Sequence, residues 1–137
     1  MATAHTLSGI DDCDSSGTNV SGMLGQGGND VDWYKYAGDD TFGCSVDPTR
    51  QLSGPGLRIC KYAQCADGST PDVTCPSGTT TDNQGGKPGC CWVGTSPETV
   101  SIGCSSGGLG DDSATIWIRV DHPGGVGCEP YSVAYHF

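Results

Sequence analysis

Several ordinary ingredients of a fold are scarce in this chain. Among 137 residues there are only two Glu (Glu98 and Glu129), two Phe and two Met. Gly at 23 and Pro at 8 interrupt every candidate run of helix formers, so a helical bundle is excluded. No apolar stretch exceeds a handful of residues, which excludes a transmembrane helix. Basic residues are few: 6 Lys and Arg stand against 16 Asp and Glu, a net charge of −10 at pH 7. That balance argues against binding to a nucleic-acid backbone or an anionic membrane surface. No N-terminal segment joins a basic start to an apolar run, so any export signal is expected to have been removed. Met1-Ala2 reads as the start of a domain cut from something larger.

What is present is aspartate and cysteine. Asp supplies 14 of the 16 acids, and it is the residue of turns and short-loop metal sites. Nine cysteines (Cys13, Cys44, Cys60, Cys65, Cys75, Cys90, Cys91, Cys104 and Cys128) in an acidic, Gly-rich chain indicate disulfides and a secreted, extracellular location. Cys60 and Cys65 have zinc-loop spacing, but no second pair completes a zinc site. An odd count leaves at least one thiol unpaired or joined to another chain. Four bridges drawn from nine cysteines allow about nine hundred connectivities, so spacing does not determine the pairing.

Period-2 alternation is the dominant pattern. It predicts strands at Thr18–Leu24, Val31–Tyr36, Leu57–Tyr62, Glu98–Cys104, Ala114–Val120 and Tyr131–Phe137. Thr41–Val46 is expected to be the hairpin partner of Val31–Tyr36. On the last two strands, Ile116, Ile118 and Val120 share one face, as do Tyr131, Val133, Tyr135 and Phe137. The predicted fold is therefore all-β, an antiparallel β-sandwich of jelly-roll-like form. Residues 1–17 form an acidic N-terminal loop segment and residues 18–137 a single domain. Within it, about residues 63–90 make a long loop insertion held by disulfides, which would close loops such as that from Cys75 to Cys90 or Cys91, the pairing itself being left open.

Two motifs carry a family resemblance. Asp30-Val31-Asp32-Trp33-Tyr34-Lys35-Tyr36 resembles the opening strand of bacterial pre-peptidase C-terminal domains, a D-x-D-W/Y-Y-x-F pattern. Ile116-Trp117-Ile118-Arg119-Val120, then a Gly-containing turn and Tyr131-Ser132-Val133-Ala134-Tyr135, resembles that family's closing pair of strands. The resemblance covers roughly residues 18–137. It implies a non-catalytic β-sandwich appended to exported bacterial proteins, serving secretion, localisation or binding of extracellular polymers. Some relatives bind calcium and collagen. The high cysteine content and the insertion from Cys60 to Cys91 depart from the family pattern.

Asp12, Asp14 and Ser16, followed by Gly17, match the first half of a calcium loop, because alternate short oxygen ligands on a tight turn converge on one point. Position twelve of that loop is Met23 rather than Glu, so other carboxylates would have to complete the shell. Asp11, Asp30, Asp32, Asp39 and Asp40 are the candidates, and the competing reading is a solvated Asx turn. Asp111-Asp112 is a second acidic turn. Trp33 and Trp117 alternate against core positions and so face outward, where indoles stack on sugar rings or fit a protein groove. Trp92 joins them as a ligand-contact candidate, and for all three the alternative is that the insertion or a disulfide covers them, making a small second core.

Catalytic motifs are missing: neither G-x-S-x-G nor H-E-x-x-H occurs. His5, His122 and His136 stand in a terminus, a turn and an outward strand position. The expectation is a non-enzymatic accessory domain of a secreted bacterial protein, binding an extracellular protein such as collagen or a polysaccharide, with structural calcium. Neither nucleic acid nor membrane is an expected partner. The alternatives are a structural spacer or filament module, and a small enzyme or a protease inhibitor built on residues 63–89.

Overall fold

The computed structural model describes residues 3–13, 17–26, 29–41, 44, 49–54, 56–96, 98–104, 111–125 and 127–137, the side chains of 49–52 excepted. Strands form wherever alternating residues run between glycine-rich turns. They are β1 (His5–Thr6), β2 (Ile10–Asp11), β3 (Thr18–Leu24), β4 (Val31–Asp39), β5 (Thr49–Ser53), β6 (Arg58–Cys65) and β7 (Asp72–Thr74). The chain continues through β8 (Thr80–Gln84), β9 (Lys87–Val93), β10 (Glu98–Thr99), β11 (Ser101–Gly103), β12 (Ala114–Asp121) and β13 (Glu129–Tyr135). No helix occurs among the described residues, and the protein is all-β.

A large sheet has the order β1-β4-β12-β6-β9-β8, with β2 also beside β4. A second sheet runs β10-β5-β13-β3, and β11 pairs with β7 separately. One apolar core draws on both main sheets. From β12 come Ile116, Ile118 and Val120, from β6 Ile59, and from β13 Tyr131, Val133 and Tyr135, all buried. Full burial of one such aliphatic side chain stabilises the fold by roughly 1.5–3 kcal/mol. Alternation thus fixes which face of each strand points inward, as expected for the last two strands.

The two main sheets are also tied by a polar chain. Tyr131 Oη on β13 donates to Asp32 Oδ2 on β4 at 2.5 Å. Tyr34 Oη lies 2.7 Å from Tyr131 Oη, and since Tyr131 spends its proton on the carboxylate, Tyr34 is the donor there. Gly22 makes room for this: a Cβ at that position would collide with both tyrosine hydroxyls. Desolvation first, then the Asp32 and Tyr34 hydrogen bonds, raise the Tyr131 pKa, keeping it a neutral donor.

The structure differs from the sequence expectation at several points. The large sheet is mixed, because β1 and β2 both pair in parallel with β4. The N-terminal segment is therefore not wholly a loop: backbone hydrogen bonds from Leu7 to Lys35 and from Asp12 to Asp39 dock it onto the edge of β4. The antiparallel neighbour of β4 is β12, 75 or more residues further on, rather than the segment after it. The expected strand at 41–46 lies largely outside the described residues. Glu98–Cys104 divides into β10 and β11, which join different sheets. The stretch 63–90 is largely regular, since β8 and β9 make a hairpin closed at Gly85-Gly86, where both residues have positive φ.

Four disulfides cross-link this scaffold: Cys13–Cys44, Cys60–Cys91, Cys65–Cys104 and Cys75–Cys90. Cys128 is unpaired and exposed, which removes it from the bridged set. Four bridges in one small chain indicate an oxidising, non-cytoplasmic location. No helix among the described residues is long and apolar enough to cross a membrane.

Candidate functional site

The outward face of the large sheet is not an ordinary solvated surface. Register places Trp117 of β12 between Lys35 of β4 and Tyr62 of β6, and Arg119 between Trp33 and Cys60. One strand further, Cys60 faces Cys91, to which it is bridged. Tyr62, Cys60 and Cys91 are buried on this outer side, covered by half-buried Trp33 and Trp117. Trp33 packs on Tyr62 with ring centroids 5.7 Å apart. The Lys87 ammonium lies 4.9 Å from the Trp117 ring centroid, within cation–π range. A flat layer of indoles with partial exposure thus lies over a disulfide and a buried tyrosine.

Ion pairs stiffen the layer. Arg58 makes a two-pronged contact with Asp121, its Nε donating to Oδ1 at 2.8 Å and its second nitrogen to Oδ2. Arg119 donates to the same carboxylate at 2.6 Å and stands 3.9 Å from Asp82. Burial alone would raise the Asp121 pKa, but the hydrogen bonds from Arg58 and Arg119 outweigh it and hold the carboxyl below its usual range. Tyr62 Oη donates to Asp82 at 2.6 Å. That bond lowers the Asp82 pKa, and burial together with the same bond raises that of Tyr62.

Where the layer meets the sheet edge, a cleft of about 480 Å³ opens. His5, Ser21, Val31, Asp32, Trp33 and Tyr34 are among its walls. It therefore combines a half-buried indole with hydroxyl, imidazole and carboxylate groups, the mixture that recognises a polyhydroxylated ligand. Trp33 belongs both to this cleft and to the outer layer.

Trp92 is placed differently from Trp33 and Trp117. It lies on the inward side of β9 in the core, 6% exposed, which corrects its reading as a ligand contact. The reason is parity: in β9 the inward positions are Cys90 and Trp92, while Cys91 faces out.

Of the six proposed metal ligands, the four among the described residues separate into two groups. Asp30 Oδ2 accepts from Gly25 N at 2.6 Å and Asp32 accepts from Tyr131, both at the start of β4. Asp11 and Asp12 lie beside Asp39 and Thr41 at its end. Seven residues of strand separate Asp32 from Asp39, about 23 Å at the usual rise. Asp30 and Asp32 therefore do not share a site with Asp11 and Asp12, which corrects that expectation. Asp14 and Ser16 lie outside the described residues.

At the acidic end, Asp11 accepts from Cys13 N at 2.8 Å and from Thr41 Oγ1 at 2.8 Å. Asp12 Oδ1 accepts from Thr41 N at 3.0 Å, while its Oδ2 is buried and meets no donor among the described residues. Asp40 Oδ2 accepts from Asp112 N at 2.9 Å, and Asp112 Oδ1 from Cys104 N at 2.6 Å. Burial, then the neighbouring Asp40 and Asp11 charges, raise the Asp12 pKa, against the lowering effect of the Thr41 amide. Carboxylates crowded in this way gain from a cation or a shared proton. Among the described residues, two groups of potential ligand atoms occur, Asp12-Cys13-Cys44 and Cys60-Asp82-Cys91, the atoms within each lying within 4.8 Å of one another. Each contains a disulfide, which withholds thiolate ligands.

Sequence reasoning missed Tyr62, Lys35, Lys87, Arg58, Arg119, Asp82 and His5 as parts of one surface. The alternation of β4, β6 and β12 was readable, but β1, β8 and β9 fall in segments expected to be loop, and nothing local says that β12 lies between β4 and β6. Comparison of the chain with protein-family models, curated proteins and solved structures matches none of them. What fold and site together define is a class: a disulfide-crosslinked all-β domain with a layer of aromatic and cationic residues on one sheet face.

Proposed function

We propose that this is a non-catalytic, secreted accessory domain that holds a polysaccharide on the outer face of its large sheet and in the adjoining cleft. The observation that carries the reading is the position of Trp33, stacked on buried Tyr62 and shared between the cleft and the layer that includes Trp117. Indoles fixed in this way meet the apolar faces of sugar rings with little loss of side-chain entropy, while Ser21, His5 and Asp32 offer hydrogen bonds beside them. The opening and closing strand motifs support placing it with the pre-peptidase C-terminal domains of exported bacterial proteins. Collagen, a ligand of some members of that family, is the competing polymer.

The test is a retention assay on cellulose, chitin, starch, pectin and collagen with the intact protein, Trp33→Ala and Trp117→Ala. Retention on a polysaccharide that falls at least about tenfold in Trp33→Ala, a loss near 1.4 kcal/mol, supports the reading. Retention on collagen alone, or on a polysaccharide equally well by the variants, refutes it.

We also propose that Asp12 and Asp40 hold a structural calcium ion, supported by the donorless Asp12 Oδ2. Calcium at about a hundred times its Kd should stabilise the fold by roughly 2.7 kcal/mol over a chelated sample. Equal melting in calcium and chelator would end this proposal. A second reading, a structural module joined through exposed Cys128, predicts a disulfide-linked dimer on a non-reducing gel.

A further inference from the structure

The distribution of positive charge indicates which polysaccharide. The whole chain carries 6 Lys and Arg, and four of them, Lys35, Arg58, Lys87 and Arg119, belong to the outer face of the large sheet. Lys61 is buried on the opposite side of the same sheet. In a protein with a net charge of −10, most of the positive charge is thus gathered on one face, where Asp82 and Asp121 meet the arginines and Asp39 and Asp11 lie at the far end of β4.

The four cations are not equivalent. Arg58 and Arg119 are occupied by Asp121 and Asp82. Lys35 and Lys87 form no ion pair among the described residues, and both adjoin Trp117, one by register on β4 and the other over the ring. One lysine without a carboxylate partner among the described residues thus lies over the indole, and a second is its cross-strand neighbour. The pair of arginines offsets Asp121 and Asp82, and the unpaired positive charge near Trp117 rests on the two lysines.

Resting on the polysaccharide reading above, we propose that the ligand is a uronic-acid polysaccharide, its carboxylates paired with Lys35 and Lys87. A uronate carries its carboxylate at the ring edge, which leaves the apolar face of the sugar free to stack. With the Lys87 ammonium over the Trp117 ring, the carboxylate would sit above Trp117 and the sugar face would stack on Trp33. Repulsion by the remaining acidic surface would confine a polyanion to this face, so charge selects the binding mode as well as the ligand.

The test is affinity electrophoresis of the intact protein through gels containing polygalacturonate, hydroxyethylcellulose, dextran sulfate or polyglutamate. The proposal expects at least about tenfold tighter binding to polygalacturonate than to hydroxyethylcellulose. It also expects weakening as salt rises from roughly 50 to 500 mM, where screening shortens to a few ångströms. The double variant Lys35→Gln/Lys87→Gln, with its melting temperature checked against the parent, should lose that preference while keeping any residual binding to hydroxyethylcellulose. Equal binding to the neutral polymer overturns the uronate assignment and leaves the polysaccharide reading standing. Preference for dextran sulfate or polyglutamate, or a double variant that still prefers polygalacturonate, also overturns the assignment. Retention on none of the polysaccharides overturns both.

Discussion

Reducing the disulfides should unfold this protein, and the loops they close indicate by how much. The bridges span 15, 31, 31 and 39 residues. Loop-closure entropy assigns about 3 kcal/mol to the shortest and about 4 kcal/mol to each of the others. Because Cys75–Cys90 lies inside the Cys60–Cys91 loop and Cys65–Cys104 overlaps both, the combined effect is smaller than four independent bridges would give. A combined effect of about 10 kcal/mol is still comparable with the whole net stability of a small domain, roughly 5–15 kcal/mol. Near-ultraviolet circular dichroism should therefore lose its cooperative melting transition in reductant. The single-bridge variant Cys75→Ser/Cys90→Ser should melt at least about 8 °C lower, its loss near 3 kcal/mol, and remain folded at room temperature. A fully reduced sample melting within a few degrees of the oxidised one would show that packing alone supports the fold, and would refute the reasoning.

Other outcomes follow from the ion pairs and the core. Asp121→Asn should cost about 2 kcal/mol, read by urea denaturation; a buried pair would lose more, but the Arg58 side chain is 34% exposed and water screens it. Since the folded pKa of Asp121 is depressed, its contribution is present above the unfolded value near 4 and is lost as pH falls through the folded value. The parent should thus be destabilised by acid below about pH 4 more steeply than Asp121→Asn; parallel pH profiles would contradict this. Ile118→Ala, at a fully buried position, should cost about 3 kcal/mol by the same assay, and a loss under about 1 kcal/mol would mean the core collapses around the gap.

The contrast between Trp33 and Trp92 marks how far local pattern reaches. Trp33 sits in a clean alternation, Asp32-Trp33-Tyr34-Lys35-Tyr36, and its outward direction was readable from parity alone. Trp92 follows Cys90-Cys91, where adjacent cysteines face opposite sides, and parity could be settled only by knowing which cysteine bridges outward to Cys60 and which inward to Cys75. The grouping of Asp30 and Asp32 with Asp11 and Asp12 fails in the same way. Asp30 and Asp32 lie close to the acidic loop in sequence, yet β4 carries them about a strand's length from Asp11 and Asp12.

Composition and alternation by themselves determined that this chain is all-β, bridged by disulfides and suited to an oxidising compartment, because side-chain period and cysteine chemistry are local properties. They also determined the inward rows of β12 and β13. Tertiary structure decided which strands are neighbours, the parallel docking of β1 and β2, the pairing of eight cysteines and the exposure of the ninth. It also gathered Trp33, Trp117, Tyr62 and four scattered cations onto one face. The physical reason is that strand pairing is a non-local choice: hydrogen bonds between β4 and β12 are the same whatever the intervening sequence, so only the packing of the complete core selects among the possible orders.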